Sequence, residues 1–191
     1  MGGKGSAVEA DETYIGGLAR NMHKHKRAQG RTGGAGKGAV FGLLDRRNGK
    51  SKVRTHVIPD AWKETVGAII KEAVEAGSHI YTDEHGSYFH LGSEGFTHAF
   101  VRHAEEYVRG NVHTNGIENF WSLLKRGIKG TYVSVEPFHM FRYLDEQAFR
   151  FNERFGNDQE RFLSAMAGII DKRITYKMLT GKQENLSPEI N

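Results

Sequence analysis

The alternation of hydrophobic and polar residues predicts five strands, most of them in the first half of the chain. These β-rich runs lie at 7–17, 39–47, 52–60, 79–83 and 97–103. The Asn-Gly-Lys sequence between the second and third runs is typical of a hairpin turn. We therefore expect the first strands to be antiparallel neighbours.

Hydrophobic residues at helical spacing predict four helices. The first ends at Gly77, the second covers about 115–126, and the third begins near Pro137. The fourth begins with a capping box of Asn157 and Glu160. Three antiparallel strands and a further strand reached through a helical crossover make a mixed five-stranded sheet flanked by helices. This α/β order is the ribonuclease-H-like arrangement.

The third predicted helix carries an apolar stripe that we interpret as core packing. The stripe consists of Phe138, Phe141, Leu144, Ala148, Phe151 and Phe155.

Composition narrows the class of protein. The chain of 191 residues suits one domain, and its lack of cysteine excludes disulfides and thiolate zinc sites. No apolar run approaches the length of a membrane span, so we expect no membrane association and a cytoplasmic protein.

Charge is unevenly distributed. Residues 18–54 carry 11 Lys or Arg and one acid, whereas residues 61–191 carry 15 basic and 18 acidic groups. A basic block on a near-neutral body suggests a polyanion such as nucleic acid, although a solvated basic loop over 18–38 explains the charge equally well. DNA as partner would make the protein nucleoid-associated.

Two aspartates lie where the predicted strands place functional groups. Glu9, Asp11 and Thr13 share one face of the first strand, and Asp83 ends the strand at 79–83. An acid in a central strand is costly to bury unless it is paired or binds a metal. Functional groups also gather at strand ends near crossovers.

The second helix carries an apolar face formed by Ile117, Phe120, Trp121 and Leu124. A third acid lies beside this face, so docking of the face on the sheet would hold Glu118 beside the sheet edge rather than out in solvent. Glu118 and Lys125 are seven residues apart and point in nearly the same direction. Asn115 and Glu118 also match a capping box, so Glu118 is either a cap or a ligand. Three carboxylates on two strands and one helix are the ligand set of a two-metal phosphoryl-transfer site.

Three stretches carry a resemblance to a known family. They are "EADETYIGG", "YTDEHGSY" and "HTNGIENFWSLLKRGIKGTYVSVEPFHMFRYLDEQAFRFN". From about Val8 to Arg154 the sequence resembles the DDE transposase domain of bacterial insertion sequences, of the ISXO type. The resemblance implies a ribonuclease-H-like core that hydrolyses phosphodiesters at transposon ends and transfers strands into target DNA.

The resemblance also implies the site. Asp11, Asp83 and Glu118 would form the metal-binding triad, with Mg²⁺ or Mn²⁺ as cofactor, two ions in all. Lys125 is the fourth implied catalytic residue and would contact a DNA phosphate or position the scissile end, and Asn115 would cap the helix or support the site. His113, just before the helix, is a candidate for orienting a metal-bound water. Further DNA contacts are expected from Arg20, Lys24, Lys26, Arg27, Arg31, Lys37 and Arg126.

The expected organisation is a disordered start over 1–7, a catalytic domain over 8–155 and a C-terminal helix and tail over 156–191. Relatives usually carry an N-terminal DNA-binding region, often a zinc ribbon, so the chain is expected to be a truncated product, an isolated domain or a member served by another chain. A homodimer or higher oligomer on DNA is expected. The alternatives are a ribonuclease-H-like nuclease or resolvase, and a non-catalytic DNA-binding remnant.

Overall fold

The structure is a computed structural model that describes residues 1–16, 37–83, 88, 91–101, 111–133 and 135–181. The chain is divided into two compact units, Met1–Asn152 and Glu153–Asn191. Most of the predicted basic loop over 18–38 lies outside the described residues.

A five-stranded mixed sheet forms the centre of the first unit and confirms the predicted topology. Its strands are β1 (Ala7–Ile15), β2 (Gly38–Asp45), β3 (Lys52–Ile58), β4 (His79–Asp83) and β5 (Thr97–Val101), in the order β3-β2-β1-β4-β5. β1 and β3 pair with β2 in the antiparallel sense. The pairs β1–β4 and β4–β5 are parallel.

Helices cover the two faces of this sheet. They are α1 (Lys63–Ala73), α2 (Asn115–Gly127) and α3 (Met140–Asn152), and α2 continues into a π-helical turn at Ile128–Tyr132. No helix in the described part of the chain is long and apolar enough to cross a membrane.

Period-two alternation along the strands separates two hydrophobic cores. Val8 and Ala10 of β1 pack in the core on the α1 side, which also holds Phe41, Ile70 and Ile80. The core on the other side contains Val40, Leu44, Val53, Ile117, Phe120, Trp121, Leu124 and Leu144. The odd-numbered residues of β1 therefore face α2, and this face carries the candidate chemistry.

Residues 1–6 form hydrogen bonds with other parts of the first unit. Their backbone N–H groups reach fixed acceptors: Gly2 donates to Asp45 Oδ2 at 3.0 Å and Gly3 to Ser78 Oγ at 2.9 Å. The Met1 nitrogen donates to the carbonyl of Ala73, the last residue of α1, at 2.6 Å. A carbonyl at a helix end lacks an intrahelical partner, so it is an available acceptor.

The second unit contains α4 (Asp158–Ala167) and α5 (Tyr176–Thr180). The predicted capping box is confirmed, with Asn157 accepting from the Glu160 N–H and Glu160 accepting from the Asn157 N–H, both at 2.9 Å.

The interpretation of the 138–155 stripe as core is wrong for three of its members. Leu144 and Phe151 are buried, but Phe138, Phe141 and Phe155 are exposed. Phe138 lies in the 3₁₀ turn that precedes α3 and Phe155 lies beyond the end of α3, so helical periodicity does not apply to them.

Candidate active site

The structure brings Asp11 and Asp83 together. β1 and β4 pair in register with Ala7 opposite His79 and Glu9 opposite Tyr81, an offset of 72 residues in each case. The same offset places Asp11 level with Asp83 at the end of β4. The two predicted aspartates are thus on neighbouring parallel strands, and their side chains share the face toward α2.

Electrostatics distinguish Asp11 from an ordinary carboxyl group. Burial, followed by the negative charges of Glu12 and Asp83, raises the pKa of Asp11 to about 7. Hydrogen bonds from the Glu12 N–H at 2.9 Å and from Trp121 Nε1 at 3.0 Å act in the opposite direction. Near neutral pH the carboxyl group is therefore partly protonated, and a bound cation would favour its charged form.

Trp121 reaches Asp11 because β2 has no side chain at the point of contact. Gly42 is paired with Asp11 across β1 and β2. A Cβ atom on Gly42 would lie 2.5 Å from Trp121 Cζ2 and 2.6 Å from Cη2, so the indole ring occupies the space that a larger residue would fill. The apolar face of the second helix predicted Trp121 as a core residue, but the role of Trp121 as a donor to Asp11 was missed. The available signal was that a buried indole N–H needs an acceptor.

Glu118 lies in the first turn of α2, directly after the buried residue Ile117. Its side chain is exposed and accepts a hydrogen bond from Thr114 Oγ1 at 2.6 Å. The alternative of an Asn115–Glu118 capping box is wrong, because Thr114 is the N-cap residue and its side chain makes no capping bond. The Thr114 hydroxyl instead donates to Glu118. The expectation that docking would hold Glu118 out of solvent is also wrong.

The carboxylate of Glu9, a residue distant in sequence, caps the N-terminus of α2. Glu9 of β1 is buried, with 1% of its surface exposed, and accepts the N–H of Ile117 at 2.8 Å. Ile117 is the third helical residue, whose N–H an N-cap side chain ordinarily binds. Sequence reasoning placed Glu9 on this face but assigned it no role.

Arg46 neutralises Glu9 and joins it to the segment that leads into α2. Its Nε lies 2.7 Å from Glu9 Oε1, and its Nη2 lies 2.9 Å from His113 Nδ1. Arg46 also donates to the carbonyls of Asn111 and His113. The structure thus gives His113 a partner in this ion-pair network, while Asn115 is exposed at the start of α2.

The donor set fits a hard divalent cation. Asp11, whose pKa is raised by burial and by neighbouring negative charges, lies level with Asp83, and Mg²⁺ and Mn²⁺ take such carboxylate oxygens as ligands. Among the residues described, no three His, Asp or Glu side chains lie close enough to hold one ion together. The structure therefore assembles the two aspartates but does not bring Glu118 into a common ligand set with them.

The predicted DNA contacts are only partly described. Lys125 and Arg126 are exposed in the last turn of α2, and Lys37 is exposed just before β2. The other five predicted contacts lie outside the described residues: Arg20, Lys24, Lys26, Arg27 and Arg31.

Comparisons with known proteins identify the family. Residues 3–152 match the ISXO2-like transposase domain. An uncharacterized transposase-like protein of Haemophilus influenzae is 35% identical over 103 residues, covering 54% of this chain and 83% of that protein. An uncharacterized protein in transposable element ISH50 of Halobacterium salinarum is 34% identical over 131 residues. That match covers 62% of this chain but only 43% of the Halobacterium protein.

One solved structure supports the fold. The catalytic core domain of BIV integrase superposes with a TM-score of 0.51, covering 86% of this chain and 98% of that domain. At 14% sequence identity this likeness concerns the fold alone.

Proposed function

The chain belongs to the ISXO2-like transposase domain family, and from this premise we propose that it is a DDE transposase catalytic domain acting on DNA. The observation that carries the proposal is the register of β1 and β4, which sets Asp11 level with Asp83. Paired carboxylates at this position suit phosphoryl transfer with divalent metal.

We assign Asp11, Asp83 and Glu118 as the residues that would hold Mg²⁺ or Mn²⁺, with two ions in the complete site. Bound metal would supply charge neutralisation at the phosphate and a more acidic water. To join the aspartates, the Glu118 side chain would have to leave Thr114 Oγ1, from which it accepts a hydrogen bond.

The proposed reaction consists of two phosphoryl transfers. In the first, a water oxygen bonds to phosphorus at the transposon end, and the bond to the 3′ oxygen breaks to release a 3′-OH. In the second, that 3′-OH bonds to a phosphorus of target DNA and displaces the original 3′ oxygen. Neither step needs a covalent enzyme intermediate, so the protein contributes positioning and charge.

Basic residues would hold the DNA. Exposed Lys125 and Arg126 lie about two turns beyond Glu118 on α2, where they can contact phosphates next to the reacting one. Lys37 and the basic residues of 18–38 would follow the backbone without reading sequence. Pairing two transposon ends would require a dimer or larger assembly on the DNA, and such a substrate places the protein at the nucleoid.

The test is strand transfer with a matched pair of variants. Wild type is incubated with Mn²⁺, a duplex carrying the element's terminal repeat and a supercoiled target plasmid. We expect nicking at the repeat and joined products, both lost in Asp83→Asn. Asp171→Asn makes the same change at an exposed position in the second unit and should keep both activities.

Other outcomes separate the alternatives. Nicks without joined products favour the nuclease or resolvase. Salt-sensitive DNA binding with no metal-dependent cleavage favours the non-catalytic remnant. Joining that survives in Asp83→Asn contradicts the proposed site.

A further inference from the structure

We propose that Glu9 and Arg46 are positioning residues that seat the first turn of α2 and thereby set where Glu118 stands relative to Asp11 and Asp83. We call this pair the Glu9–Arg46 clamp. The inference rests on the proposed function for the role of Glu118, but the seating of α2 can be tested without it.

The first turn of α2 fits closely against Glu9. The carboxylate accepts the Ile117 N–H at 2.8 Å. A Cβ atom on Gly116 would lie 2.9 Å from each Glu9 carboxylate oxygen, so only glycine lets the helix approach this closely. An anionic group at a helix N-terminus also interacts favourably with the helix dipole. Glu9 therefore acts as a cap supplied by the central strand.

Arg46 holds this cap in place through contacts with several segments. Its guanidinium binds Glu9 at 2.7 Å and the carbonyls of Asn111 and His113 at 2.6 and 2.7 Å. It also lies 4.8 Å from the ring centre of Tyr81 on β4. The Arg46 N–H donates to the Ala7 carbonyl at 3.1 Å, which fixes its own backbone to β1. Arg46 thus ties the approach to α2 to both strands that carry the aspartates.

Two hydrogen bonds of matched spacing join β1 to α2. Glu9 and Asp11 are two residues apart on a strand, about 7 Å. Their partners, Ile117 and Trp121, are four residues apart on the helix, about 6 Å. Glu118 lies between these two attachment points. Its backbone position is therefore set by the bonds Glu9–Ile117 and Asp11–Trp121.

An ion pair suits positioning better than it suits stability. Taking a carboxylate out of water costs free energy that pairing only partly offsets, so apolar packing would stabilise the fold as well. The fork of an arginine side chain gives a directional arrangement that apolar packing does not. The Glu9–Arg46 clamp is therefore suited to fixing one orientation of α2.

The test uses Arg46→Lys and Glu9→Gln, with Arg47→Lys as the matched control. Arg47 is the adjacent arginine, and it pairs with Asp45 rather than with the clamp. Hydrogen exchange of the Ile117 amide and the Trp121 indole N–H is measured by NMR without DNA or metal. We expect exchange to accelerate about tenfold in both clamp variants and to stay unchanged in the control.

The second readout is the Mn²⁺ dependence of nicking. The clamp variants should need about tenfold more Mn²⁺ for half-maximal nicking, as for other residues that orient metal ligands. DNA affinity without metal should stay within about twofold of wild type, which a general loss of folding would not allow. If Arg46→Lys does not fold, Glu9→Gln alone tests the seating of α2. Its glutamine side chain keeps an acceptor for the Ile117 N–H, so this variant is expected to fold.

Unchanged exchange in both folded clamp variants overturns the seating role, whatever their activity. Faster exchange with an unchanged Mn²⁺ requirement overturns the link to Glu118. A wild-type chain that never nicks DNA with Mn²⁺ contradicts the proposed function instead, and the exchange rates then decide the seating of α2 separately.

Discussion

Glu9 and Asp11 lie two residues apart on the same face of β1, yet their surroundings are opposite. Glu9 is buried among donors, with Arg46 at 2.7 Å and the Ile117 N–H at 2.8 Å. Asp11 has the indole N–H of Trp121 at 3.0 Å, but the charged groups that act on it are Glu12 and Asp83, both negative.

This difference indicates that Glu9 has a structural role and that Asp11 is the candidate for a chemical role. A carboxylate with its cation and donors in place has little left to offer a metal. A buried carboxyl group with raised pKa beside like charges is typical of a functional site. On one strand face, therefore, Glu9 binds the first turn of α2, and Asp11 is the acid that we propose for cation binding.

The largest expected effect comes from Asp11→Asn. This change should lower nicking about 10³-fold or more, because it removes a carboxylate that we propose as a metal ligand. Without divalent metal at pH 8 it should also stabilise the fold by about 2 to 4 kcal/mol. Urea unfolding of wild type and variant over a pH series measures both the size and the pH dependence of this gain.

The direction of this change in stability follows from the pKa of Asp11, which is about 7 in the folded chain against an ordinary value of 3.8. Stability from this group is fully present below the lower value and is lost as pH rises through the higher one. The advantage of Asp11→Asn should therefore be full above pH 7 and fade toward pH 4. A variant less stable than wild type at pH 8 would contradict the comparison.

Glu9→Ala should act in the opposite direction. It leaves Arg46 without its carboxylate and Ile117 without its acceptor, so we expect a loss of about 2 to 4 kcal/mol in the free energy of unfolding. Glu9→Gln keeps an acceptor and should lose about 1 to 2 kcal/mol. Equal losses of unfolding free energy in the two variants would mean that the ion pair with Arg46 and the hydrogen bond to Ile117 do not contribute separately to stability.

Local patterns predicted much of the fold. The Asn-Gly hairpin, the four buried residues of α2 and the α4 capping box each depend on residues close together in sequence. The pairing of Asp11 with Asp83 was also predictable, because a helical crossover returns the chain parallel to its starting strand.

The rest of the site depends on contacts between distant residues. Asn115 and Glu118 match a capping box locally, but the acceptor for the first turn is Glu9, 108 residues from Ile117. Arg46 is 37 residues from Glu9 and reads in the sequence as one more charge of a basic block. Neither partner can be inferred from periodicity, since the sheet and helix must first be assembled.

Gly42→Ala tests the contact that seats Trp121 beside Asp11. The added Cβ would lie 2.5 Å from the indole, so the ring must shift and the expected cost is about 1 to 3 kcal/mol. In a Trp62→Phe background, Trp121 emission should move to longer wavelength as the ring becomes solvated. Gly92→Ala is the control, since no atom lies within 4 Å of its added Cβ. An unshifted spectrum in Gly42→Ala would mean that β2 does not set the ring position.

Asn157→Ala provides the smallest expected effect and contrasts a local cap with the remote cap of α2. Asn157 is exposed and accepts only from the first turn of its own helix, so its removal should cost about 1 kcal/mol. Amide exchange at Glu160 should accelerate while nicking and the exchange of Ile117 stay unchanged. In Glu9→Gln the exchange of Ile117 should respond and that of Glu160 should not. A cap carried by β1 couples the helix to the strand that bears Asp11, whereas a cap carried by the helix itself affects only that helix.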